Sequence, residues 1–471
     1  MTRRIENTDD MLRHIGALAD ETGNEVYVVG GYVRDSHLGR DVKDIDFTVI
    51  NEGLKFTRTL ADSLGIKRIV TFEKFGTAMI PYQDYKLEFV QARSESYSPD
   101  SRKPSVEKGD LQTDLARRDF TINTLARRLT AEGESEIVDL FHGLDDLGKG
   151  ILRTPLDPAK TFDDDPLRMV RAVRFASRFG FTIEKKTFNA IREFRERITI
   201  VSQERVTDEF LKIMKTEKPS VGLDLLRKTG LLEILFPDLY RLIGVEQKET
   251  YHHKDVWFHT IRVVDNAAAV SDKIELRLAA LFHDIAKPQT KKFIEGSGWT
   301  FHGHEVIGMK MIPRLVNTLR LPSDYITYLQ KLINLHLRPI NLSGEEVTDS
   351  GIRRLIVAAG EDLEDLMTLC RADITSGNPK RVRKHLQNFD NVEKRIMEVE
   401  ELDTLRAFKC PVDGHEIMVT FGLRPSPLIG ALKTRIEEAI LDGFIPNDHD
   451  AAFDYMMSIK DDLFREMGEK G

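Results

Sequence analysis

Strand-like sequence is confined to the first part of this 471-residue chain. Residues 25–31 (EVYVVGG) predict a strand that ends in a glycine turn, and residues 44–50 (DIDFTVI) alternate polar and apolar side chains as a half-buried strand does. Two further strands are predicted over 77–83 and 85–92, whereas the pattern is helical from about Thr161 onward. The sequence therefore predicts an α+β multidomain protein in which a head with a mixed sheet and helices precedes an all-helical body.

The composition is typical of a soluble globular protein. Hydrophobic residues make up 41% of the chain and charged residues 31%, and the lack of any apolar run of about 18 residues argues against a membrane span. The first residues lack the apolar segment of a signal peptide. Two cysteines, Cys370 and Cys410, argue against a disulfide scaffold and for a cytoplasmic location. Because the net charge is −8, a nucleic acid would have to bind a local basic patch.

Two carboxylates and a glycine pair stand close together near the N-terminus. Asp44 and Asp46 are two residues apart on a predicted strand, so their side chains share one face, and such a pair suits Mg²⁺. Gly30 and Gly31 leave backbone N–H groups uncovered at a helix start, which favours a triphosphate, and Arg34 lies one turn beyond. If this segment stood alone, an ordinary glycine turn followed by a surface strand would be a better explanation than a site for metal and triphosphate.

A row of arginines follows later in the chain. Arg168, Arg171, Arg174 and Arg178 fall within roughly 120° of arc on one predicted helix. The cluster at 163–165 (DDD) precedes them, and apolar residues between them should bury the flank of the helix. The alternative is a solvated basic face, but a row of arginines at a domain junction suits phosphates or the edges of bases.

These segments together resemble the class II nucleotidyltransferases of the DNA polymerase β superfamily, which are the tRNA CCA-adding enzymes and the bacterial poly(A) polymerases. The resemblance implies a polymerase-β-like nucleotidyltransferase head over 1–150 and a helical neck with base-recognition and RNA-binding helices over 151–240. The motifs that carry it, in chain order, are 30–47 (GGYVRD…GRDVKDIDF), 117–123 (RRDFTIN), 139–143 (DLFHG), 164–181 (DDPLRMVRAVRFASRFGF) and 203–213 (QERVTDEFLKI).

The resemblance implies specific roles for residues of the head and neck. Asp44 and Asp46 would be the catalytic residues and would ligate Mg²⁺. Glu88, on a later strand, is implied as a third carboxylate, with a salt bridge as an equally good reading. The residues implied to bind the nucleotide are Gly30, Gly31, Arg34, Arg117, Arg118, Asp119, Asn123, Asp165, Arg168, Arg171 and Arg174.

Within the second motif, Arg117 or Arg118 would contact the phosphates, with Asp119 and Asn123 around the ribose. Asp119 would also suit the N-cap of a helix. Thr124 stands where the family usually has alanine.

In the fourth motif, Asp165 and Arg168 would hydrogen-bond the base, with Arg171 and Arg174 in support. A carboxylate and a guanidinium offer acceptors and donors that match the Watson–Crick edges of C and A. Asp164 stands where glutamate is usual, and the shorter side chain affects the expected base selectivity.

A second constellation lies in the helical body. His259, His283, Asp284 and Asp373 resemble the His…His-Asp…Asp pattern of HD-domain phosphohydrolases, which implies an HD metal-binding domain over 241–400. Mixed imidazole and carboxylate ligands suit a divalent transition metal or Mg²⁺. The alternative is a relic fold whose histidines are satisfied by other contacts.

Two histidines and a lysine extend this pattern. His304 and His336 fit the extra ligands of binuclear HD sites. A metal-bound hydroxide would then cleave a phosphodiester or a phosphomonoester. Lys287 could contact a phosphate, although we expect it to be a solvated helix end.

The C-terminal region carries two features that suit RNA. Residues 412–447 resemble the C-terminal segment of CCA-adding enzymes, which implies a tRNA-contacting tail over 401–471. Residues 379–387 (PKRVRKHLQ) are either a patch for the RNA backbone or an exposed basic helix.

The resemblance implies that the chain adds CCA to the 3′ ends of tRNA from CTP and ATP. A poly(A) polymerase, or an enzyme that adds only CC or only A, is the first alternative. The second is an HD phosphohydrolase with an RNA-binding head. The polar stretch 94–110 predicts a mobile loop, and it resembles the loop that full CCA-adding enzymes use to switch from C to A.

Overall fold

The computed structural model describes residues 7–73, 76–98, 101–249, 252–295, 298–342, 348–375, 378–403 and 408–468. The chain forms two compact units, Met1–Tyr240 and Arg241–Gly471. Among the described residues, none of the helices combines the length and the apolar character needed to span a membrane.

Eleven strands are described in the first unit. They are β1 (Glu25–Val29), β2 (Asp44–Ile50), β3 (Val70–Phe72), β4 (Thr77–Tyr82), β5 (Tyr85–Gln91), β6 (Arg93–Ser98), β7 (Ser101–Lys108), β8 (Ala126–Thr130), β9 (Gly133–Glu134), β10 (Ile151–Leu152) and β11 (Thr182–Ile183).

Seven of these strands form one mixed sheet in the order β3-β4-β5-β2-β1-β8-β9. Strands β2 and β5 are parallel, and the other neighbours are antiparallel. In β2, Ile45 and Phe47 are fully buried while Asp44 and Asp46 remain open on the other face. The alternation that predicted this strand thus also presents both carboxylates on the same side of the sheet.

Twelve α-helices are described in the first unit, besides the 3₁₀ helices Thr121–Asn123 and Arg195–Ile200. They are α1 (Thr8–Thr22), α2 (Gly31–His37), α3 (Gly53–Ser63), α4 (Leu111–Ala116), α5 (Gly143–Lys149), α6 (Pro158–Asp164), α7 (Leu167–Phe179), α8 (Lys185–Phe194), α9 (Gln203–Met214), α10 (Pro219–Thr229), α11 (Leu231–Leu235) and α12 (Pro237–Tyr240).

The polar stretch over 94–110 differs from the predicted loop. Its described residues form the antiparallel ribbon β6–β7, in which Arg93 is paired with Lys108; residues 99–100 lie outside the described part of the chain. A two-stranded ribbon does not need an apolar face, so serine and charged residues do not distinguish it from a loop by pattern alone.

The second unit is mainly helical. Its strands are β12 (Glu246–Glu249), β13 (His252–Asp255), β14 (Lys292–Ile294) and β15 (Gly298–Thr300). Its helices are α13 (Val256–Ala268), α14 (Ile274–Phe282), α15 (Lys287–Thr290), α16 (His304–Thr318), α17 (Tyr325–Leu335), α18 (Leu337–Asn341), α19 (Asp349–Ala359), α20 (Leu363–Asp373), α21 (Pro379–Asp403), α22 (Gly414–Phe421), α23 (Pro427–Leu441) and α24 (His449–Gly468).

Apolar side chains hold the helices of the second unit together in separate clusters. One cluster joins α19, α20 and α21 around Ile356, Leu366 and Phe389. Another joins α22, α23 and α24 around Ile417 and Ile436. The predicted fold class is thus confirmed, with the short strand pairs β10–β11, β12–β13 and β14–β15 inside the body that was expected to be all-helical. Strands of two to four residues are too short for periodicity to predict them.

The packing of α1 on the sheet generates a stability prediction. A Cβ atom at Gly16 would lie within 2.6 Å of three backbone atoms of Thr130. We expect Gly16→Ala to lower the free energy of unfolding by about 1–3 kcal/mol, because the backbone must shift. Gly148→Ala is the control, since a methyl group there, in α5, meets no atom within 4 Å. Urea denaturation followed by circular dichroism measures both, and equal midpoints for Gly16→Ala and wild type would contradict the close approach.

Candidate active site and candidate metal centre

A cavity of about 670 Å³ lies in the first unit. The head and neck residues predicted to bind the nucleotide or the catalytic metal line it, with the exception of Gly30 and of Glu88, the implied third carboxylate. The lining residues are Gly31, Arg34, Asp35, Asp41, Val42, Lys43, Asp44, Asp46, Arg117, Arg118, Asp119, Asn123, Asp165, Arg168, Arg171, Arg174, Phe175, Arg178 and Arg205. The structure therefore brings motifs that are far apart in sequence to one concave surface.

Gly30 does not line the cavity, but its backbone conformation shapes the turn between β1 and α2. Its φ of 70° and ψ of −122° lie in a region that favours glycine, and its N–H donates to the Leu125 carbonyl at 2.9 Å. A Cβ atom at Gly30 would lie 2.7 Å from Nη1 of Arg118. The turn between β1 and α2 can therefore pass close to the arginine only because this residue has no side chain.

The carboxylate pair lies at the start of β2. Although Asp44 and Asp46 are open to the cavity, the surrounding protein withdraws bulk water from Asp46 and raises the pKa of its carboxyl group. The Arg118 and Lys86 cations oppose this effect, and the Asp44 carboxylate adds to it. A carboxylate pair whose negative charge is poorly solvated is a favourable place for a divalent cation.

Glu88 lies next to this pair. It is in register with Asp46 across the parallel strands β2 and β5, and Lys86 Nζ lies 3.8 Å from its carboxylate. Residues in register on neighbouring strands face the same side of a sheet, so both readings of Glu88 stay open.

Arg34 is almost completely buried, with 3% of its surface exposed. Its Nε and Nη2 donate to the two carboxylate oxygens of Asp35 at 2.8 Å each, and its Nη1 donates to Oδ1 of Asn123. The guanidinium also lies 4.8 Å from the centre of the Phe179 ring. Arg34 thus contributes a fixed positive charge to the cavity wall.

Asp119 joins the second motif to the arginine row. Its Oδ2 accepts from Nε of Arg171 at 2.8 Å, and its Oδ1 accepts from Nδ2 of Asn123 at 2.8 Å. Burial alone would raise the pKa of Asp119, but Arg171 and Asn123 outweigh it and hold the pKa well below its usual range. The nearby 3₁₀ helix Thr121–Asn123 has Phe120 at its N-cap position, so the additional expectation that Asp119 caps a helix here is wrong.

The two residues expected to read the base lie at the start of α7. Arg168 donates from Nη2 to the Arg117 carbonyl at 2.7 Å, which ties it to the second motif. Asp165 accepts from Nη2 of Arg205 at 3.2 Å and from the Leu167 N–H at 3.3 Å. Both side chains are therefore oriented by neighbours while they line the cavity.

Sequence reasoning missed the residues that hold the arginines in place. Glu209 of α9 is buried; Nε of Arg174 donates to it, and Nη1 of Arg171 lies 3.9 Å away. Arg205 and Glu209 are both in the fifth motif, four residues apart on one helix. That spacing places them on one face and was the available signal.

A second support that was missed is Asp114 of α4. Its side chain is fully buried, and Nε and Nη2 of Arg117 donate to it at 3.0 and 2.6 Å. The Thr48 hydroxyl of β2 donates to its other oxygen at 2.9 Å. Nothing in the sequence around Asp114 indicated a buried carboxylate.

The second unit contains the candidate metal centre. One group of donors is His259, His283 and Asp373, and a second is Asp284, His304 and His336. Within each group, one donor atom per residue lies within 4.8 Å of the others. All six residues predicted for this site are therefore brought together.

Asp284 connects the two groups. Its Oδ2 lies 3.2 Å from Nε2 of His283, and its Oδ1 lies 3.3 Å from Nε2 of His304. In the first group, His259 Nε2 is 2.8 Å from Oδ1 of Asp373. In the second, the Nε2 atoms of His304 and His336 are 3.3 Å apart. This arrangement of imidazole and carboxylate donors around a bridging aspartate fits two divalent cations.

The Nδ1 atoms of the histidines, which face away from the cluster, also form hydrogen bonds. Carbonyl oxygens can only accept, so the Nδ1 atoms of His283, His304 and His336 must donate, and each Nε2 is directed inward. The carbonyl partners are Ala280, Phe301 and Ile333, at 2.8, 2.8 and 2.6 Å, and the hydroxyl of Thr375 lies 2.8 Å from Nδ1 of His259.

The carboxylates of Asp284 and Asp373 favour a positive charge within the cluster. Burial alone would lower the pKa of His283, but Asp284 and Asp373 outweigh it and raise the pKa to about 10. Despite their burial, His283 keeps the pKa of both carboxyl groups well below the usual range. A divalent cation would neutralise the same two carboxylates.

The side chain of Lys287 is not in solvent, where it was expected. Its Nζ lies 2.7 Å from Oδ2 of Asp284, and 12% of its side chain is exposed. The prediction of a solvated helix end is therefore wrong, because the buried Asp284 carboxylate attracts the ammonium group to the edge of the metal centre.

Comparison with known proteins identifies three regions of the chain. Residues 26–153 match the Poly A polymerase head domain, residues 180–242 the probable RNA and SrmB-binding site of polymerase A, and residues 256–377 the HD domain. Two solved structures share the fold: a Bacillus stearothermophilus CCA-adding enzyme in complex with CTP (TM-score 0.64, 22% identity, 98% of this chain and 100% of that one) and a Thermotoga maritima CCA-adding enzyme complexed with tRNA (TM-score 0.59, 20% identity, 97% of each).

Two relatives agree with this assignment. An A-adding tRNA nucleotidyltransferase of Geobacter sulfurreducens is 38% identical over 232 residues, which are 49% of this chain and 26% of that protein. The Multifunctional CCA protein of Aliivibrio salmonicida is 30% identical over 407 residues, which are 82% of this chain and 95% of that protein. The predicted resemblance is confirmed, and the chain belongs to the family of tRNA nucleotidyltransferases and poly(A) polymerases.

Proposed function

We propose that this protein is a template-independent RNA nucleotidyltransferase that adds C, C and A to the 3′ ends of tRNA, with CTP and ATP as substrates. The observation that carries the proposal is the single cavity in which the Asp44–Asp46 pair and the arginine row of α7 both line the wall. The names of the Aliivibrio and Bacillus relatives support the choice of tRNA and of CCA as the product.

In the proposed reaction, the tRNA 3′-hydroxyl attacks the α-phosphate, a new phosphodiester forms, and the bond to pyrophosphate breaks. Asp44 and Asp46 would hold Mg²⁺, which when bound activates the attacking oxygen and neutralises the leaving pyrophosphate. The N–H groups at the start of α2 and the guanidinium groups of Arg117 and Arg118 would position the triphosphate. Catalysis then consists mainly of positioning and charge neutralisation.

Base choice would depend on Asp165 and Arg168. The carboxylate of Asp165 would accept from the amino group that C and A share, and Arg168 would donate to the adjacent ring nitrogen. Arg171 and Arg174 would act through Asp119 and Glu209, which hold them beside the base.

The proposed division of the chain has four parts. Residues 1–150 would be the nucleotidyltransferase head, 151–240 the neck, 241–400 the HD domain and 401–471 the tRNA-contacting tail. The exposed basic side chains of α21, Lys380, Arg383 and Lys384 among them, support a role for this region in contacting the RNA backbone.

A second proposed function is metal-dependent phosphohydrolysis in the second unit. The arrangement of six donors about Asp284 supports it, and a divalent transition metal or Mg²⁺ would supply a bound hydroxide as the nucleophile. The alternatives for the whole protein are a poly(A) polymerase, a partial CC- or A-adding enzyme, and a hydrolase whose head only binds RNA.

The carboxylate pair generates the first functional prediction. Asp44→Ala is expected to abolish CTP and ATP incorporation while tRNA binding stays within a few-fold of wild type, because the change removes a metal ligand and leaves the basic surface intact. Asp145→Ala, which removes an exposed carboxylate paired with Lys149, is the matched control and should retain activity. Incorporation that survives in Asp44→Ala would show that the catalytic metal is held elsewhere.

Arg168 generates the second. We expect Arg168→Ala to weaken discrimination between CTP or ATP and the other nucleotides by about 1–3 kcal/mol, which is the cost of a lost bidentate contact to a base. Arg168→Lys keeps the charge but not the forked geometry, so it should lose almost as much discrimination between nucleotides as Arg168→Ala. Arg192→Ala, at an exposed position of α8, is the control and should leave discrimination unchanged. Competition assays with mixed nucleotides measure the ratio, and unchanged discrimination in Arg168→Ala would remove this residue from base recognition.

The metal centre generates the third. Chelation should abolish phosphoester hydrolysis, and Mn²⁺ or Ni²⁺ should restore it in wild type but not in His283→Ala/Asp284→Ala. Asp44→Ala is the matched control, since it should lose nucleotide addition but retain hydrolysis. Hydrolysis that persists in the double variant would exclude this centre as its source.

A further inference from the structure

An exposed lysine lies beside the carboxylate pair, on the neighbouring strand. Lys86 of β5 is in register with Asp44 of β2. Glu88 is likewise in register with Asp46. Leu87, which lies between Lys86 and Glu88, is fully buried, so these two side chains open onto the same face of the sheet as the pair. The sheet therefore places an ammonium group next to the candidate catalytic carboxylates.

The ammonium group of Lys86 is in a long and exposed ion pair. Its Nζ lies 3.8 Å from Oε2 of Glu88, and 53% of the Lys86 side chain is exposed. Such a surface pair contributes little free energy. Burial raises the pKa of Asp46, and Arg118 and then Lys86 oppose this effect. The charge of Lys86 thus acts on the carboxylate pair while its ammonium group stays accessible to a second anion.

A second lysine lies next to Lys86. Lys43 directly precedes β2 and lines the cavity, and its carbonyl accepts from the Lys86 N–H at 3.0 Å. The Nζ atom of Lys43 lies 3.2 Å from Oδ2 of Asp84, and both side chains are largely exposed. An exposed carboxylate partner can be exchanged for a phosphate at little cost. The β5 side of the carboxylate pair therefore has two accessible ammonium groups.

The order of the strands places these lysines opposite the proposed triphosphate contacts. Strand β2 lies between β1 and β5. Strand β1 leads through Gly30 into α2, and Arg118 lies close to Gly30, so the triphosphate would be on the β1 side. In an in-line displacement, the attacking and the leaving oxygen are on opposite sides of the α-phosphate. The 3′-hydroxyl of the tRNA should therefore approach from the β5 side, where Lys86 lies.

We propose that Lys86 binds the last phosphodiester of the tRNA 3′ end and thereby orients the 3′-hydroxyl towards the α-phosphate. This phosphodiester precedes the terminal ribose, so it is the anion of the tRNA that lies nearest to the attacking hydroxyl. Lys43 adds positive charge to the same approach. The inference rests on the proposed nucleotidyltransferase function, since it assigns a substrate-binding residue to that reaction.

Substitution of the lysine gives the first readout. Lys86→Met removes the charge and keeps most of the side-chain length. It should lower kcat/KM for a tRNA transcript ending in CC about tenfold, the effect of one charge-assisted contact, and leave KM for ATP within about twofold of wild type. Lys86→Arg should restore most of the loss, because a guanidinium also binds phosphate. Lys149→Met, at a similarly exposed lysine of α5, is the control and should behave as wild type.

A neutral linkage tests which phosphate is bound. An acceptor-end RNA minihelix with a methylphosphonate between its two terminal cytidines lacks the charge of the last phosphodiester. It should lower kcat/KM about tenfold in wild type but have little further effect in Lys86→Met, because both changes remove one contact. A methylphosphonate several linkages further from the 3′ end is the control and should affect both proteins equally. Losses that multiply when the variant meets the neutral linkage would overturn the proposal.

Salt dependence is a readout that a purely structural role would not change. The plot of log kcat/KM for RNA against log salt concentration should become less steep by about 0.7 in Lys86→Met, as expected for one phosphate contact to a single strand. Lys149→Met should keep the wild-type slope. An unchanged slope in Lys86→Met would contradict a phosphate contact.

The outcomes separate this inference from the nucleotidyltransferase proposal. A wild-type protein that extends none of the transcripts would refute the transferase. Fluorescence anisotropy with the two minihelices would then still test Lys86, and equal affinity of wild type and Lys86→Met for the unmodified minihelix would overturn the contact as well.

Two other results would overturn the Lys86 contact alone. A changed Mg²⁺ requirement in Lys86→Met with unchanged kcat/KM for RNA would make the lysine a counterion of the carboxylate pair. A raised KM for ATP with unchanged kcat/KM for RNA would assign it to the incoming nucleotide.

Discussion

The ion pair between Asp119 and Arg171 holds the candidate active site together. It joins the motif after α4 to the middle of α7, and Asn123 extends it from Asp119 to the buried Arg34 of α2. Arg171 also lies near Glu209, which fixes Arg174 from α9. Four elements that are distant in sequence are therefore connected by charged groups that are buried, except for Arg171, which is partly exposed. Removal of one member from such a network leaves its partner buried without compensation, which is far more costly than the loss of a surface pair.

This network explains how a cavity with so many arginines can be stable before a nucleotide binds. Asp35, Asp119 and Glu209 neutralise Arg34, Arg171 and Arg174, and the pKa of Asp119 stays low despite burial. The arginines are thereby fixed in position, so a bound triphosphate would not need to order them. The carboxylates of Asp44 and Asp46 line the same cavity and would supply the negative charge that a divalent metal needs.

Sequence alone predicted the parts of both sites that depend on local spacing. The i, i+2 relation of Asp44 and Asp46 and the helical spacing of the arginines follow from backbone geometry, and the structure places them as expected. Asp114 and Glu209 were missed because their roles depend on which elements pack together. Lys287 was misplaced for the same reason, since a buried Asp284 carboxylate can attract a lysine that local pattern assigns to solvent. The ribbon β6–β7 was missed because a two-stranded ribbon does not need an apolar face, so no hydrophobic pattern predicts it.

The central claim is that the carboxylates and the arginine row form one site that selects C and then A. It is tested most directly by supplying CTP or ATP separately with tRNA transcripts that end at the discriminator base, at the first C or at CC. The account predicts that CTP extends the first two transcripts, that ATP extends only the one ending in CC, and that extension then stops. Growth of an ATP homopolymer, or extension of all three transcripts by one nucleotide alone, would contradict it.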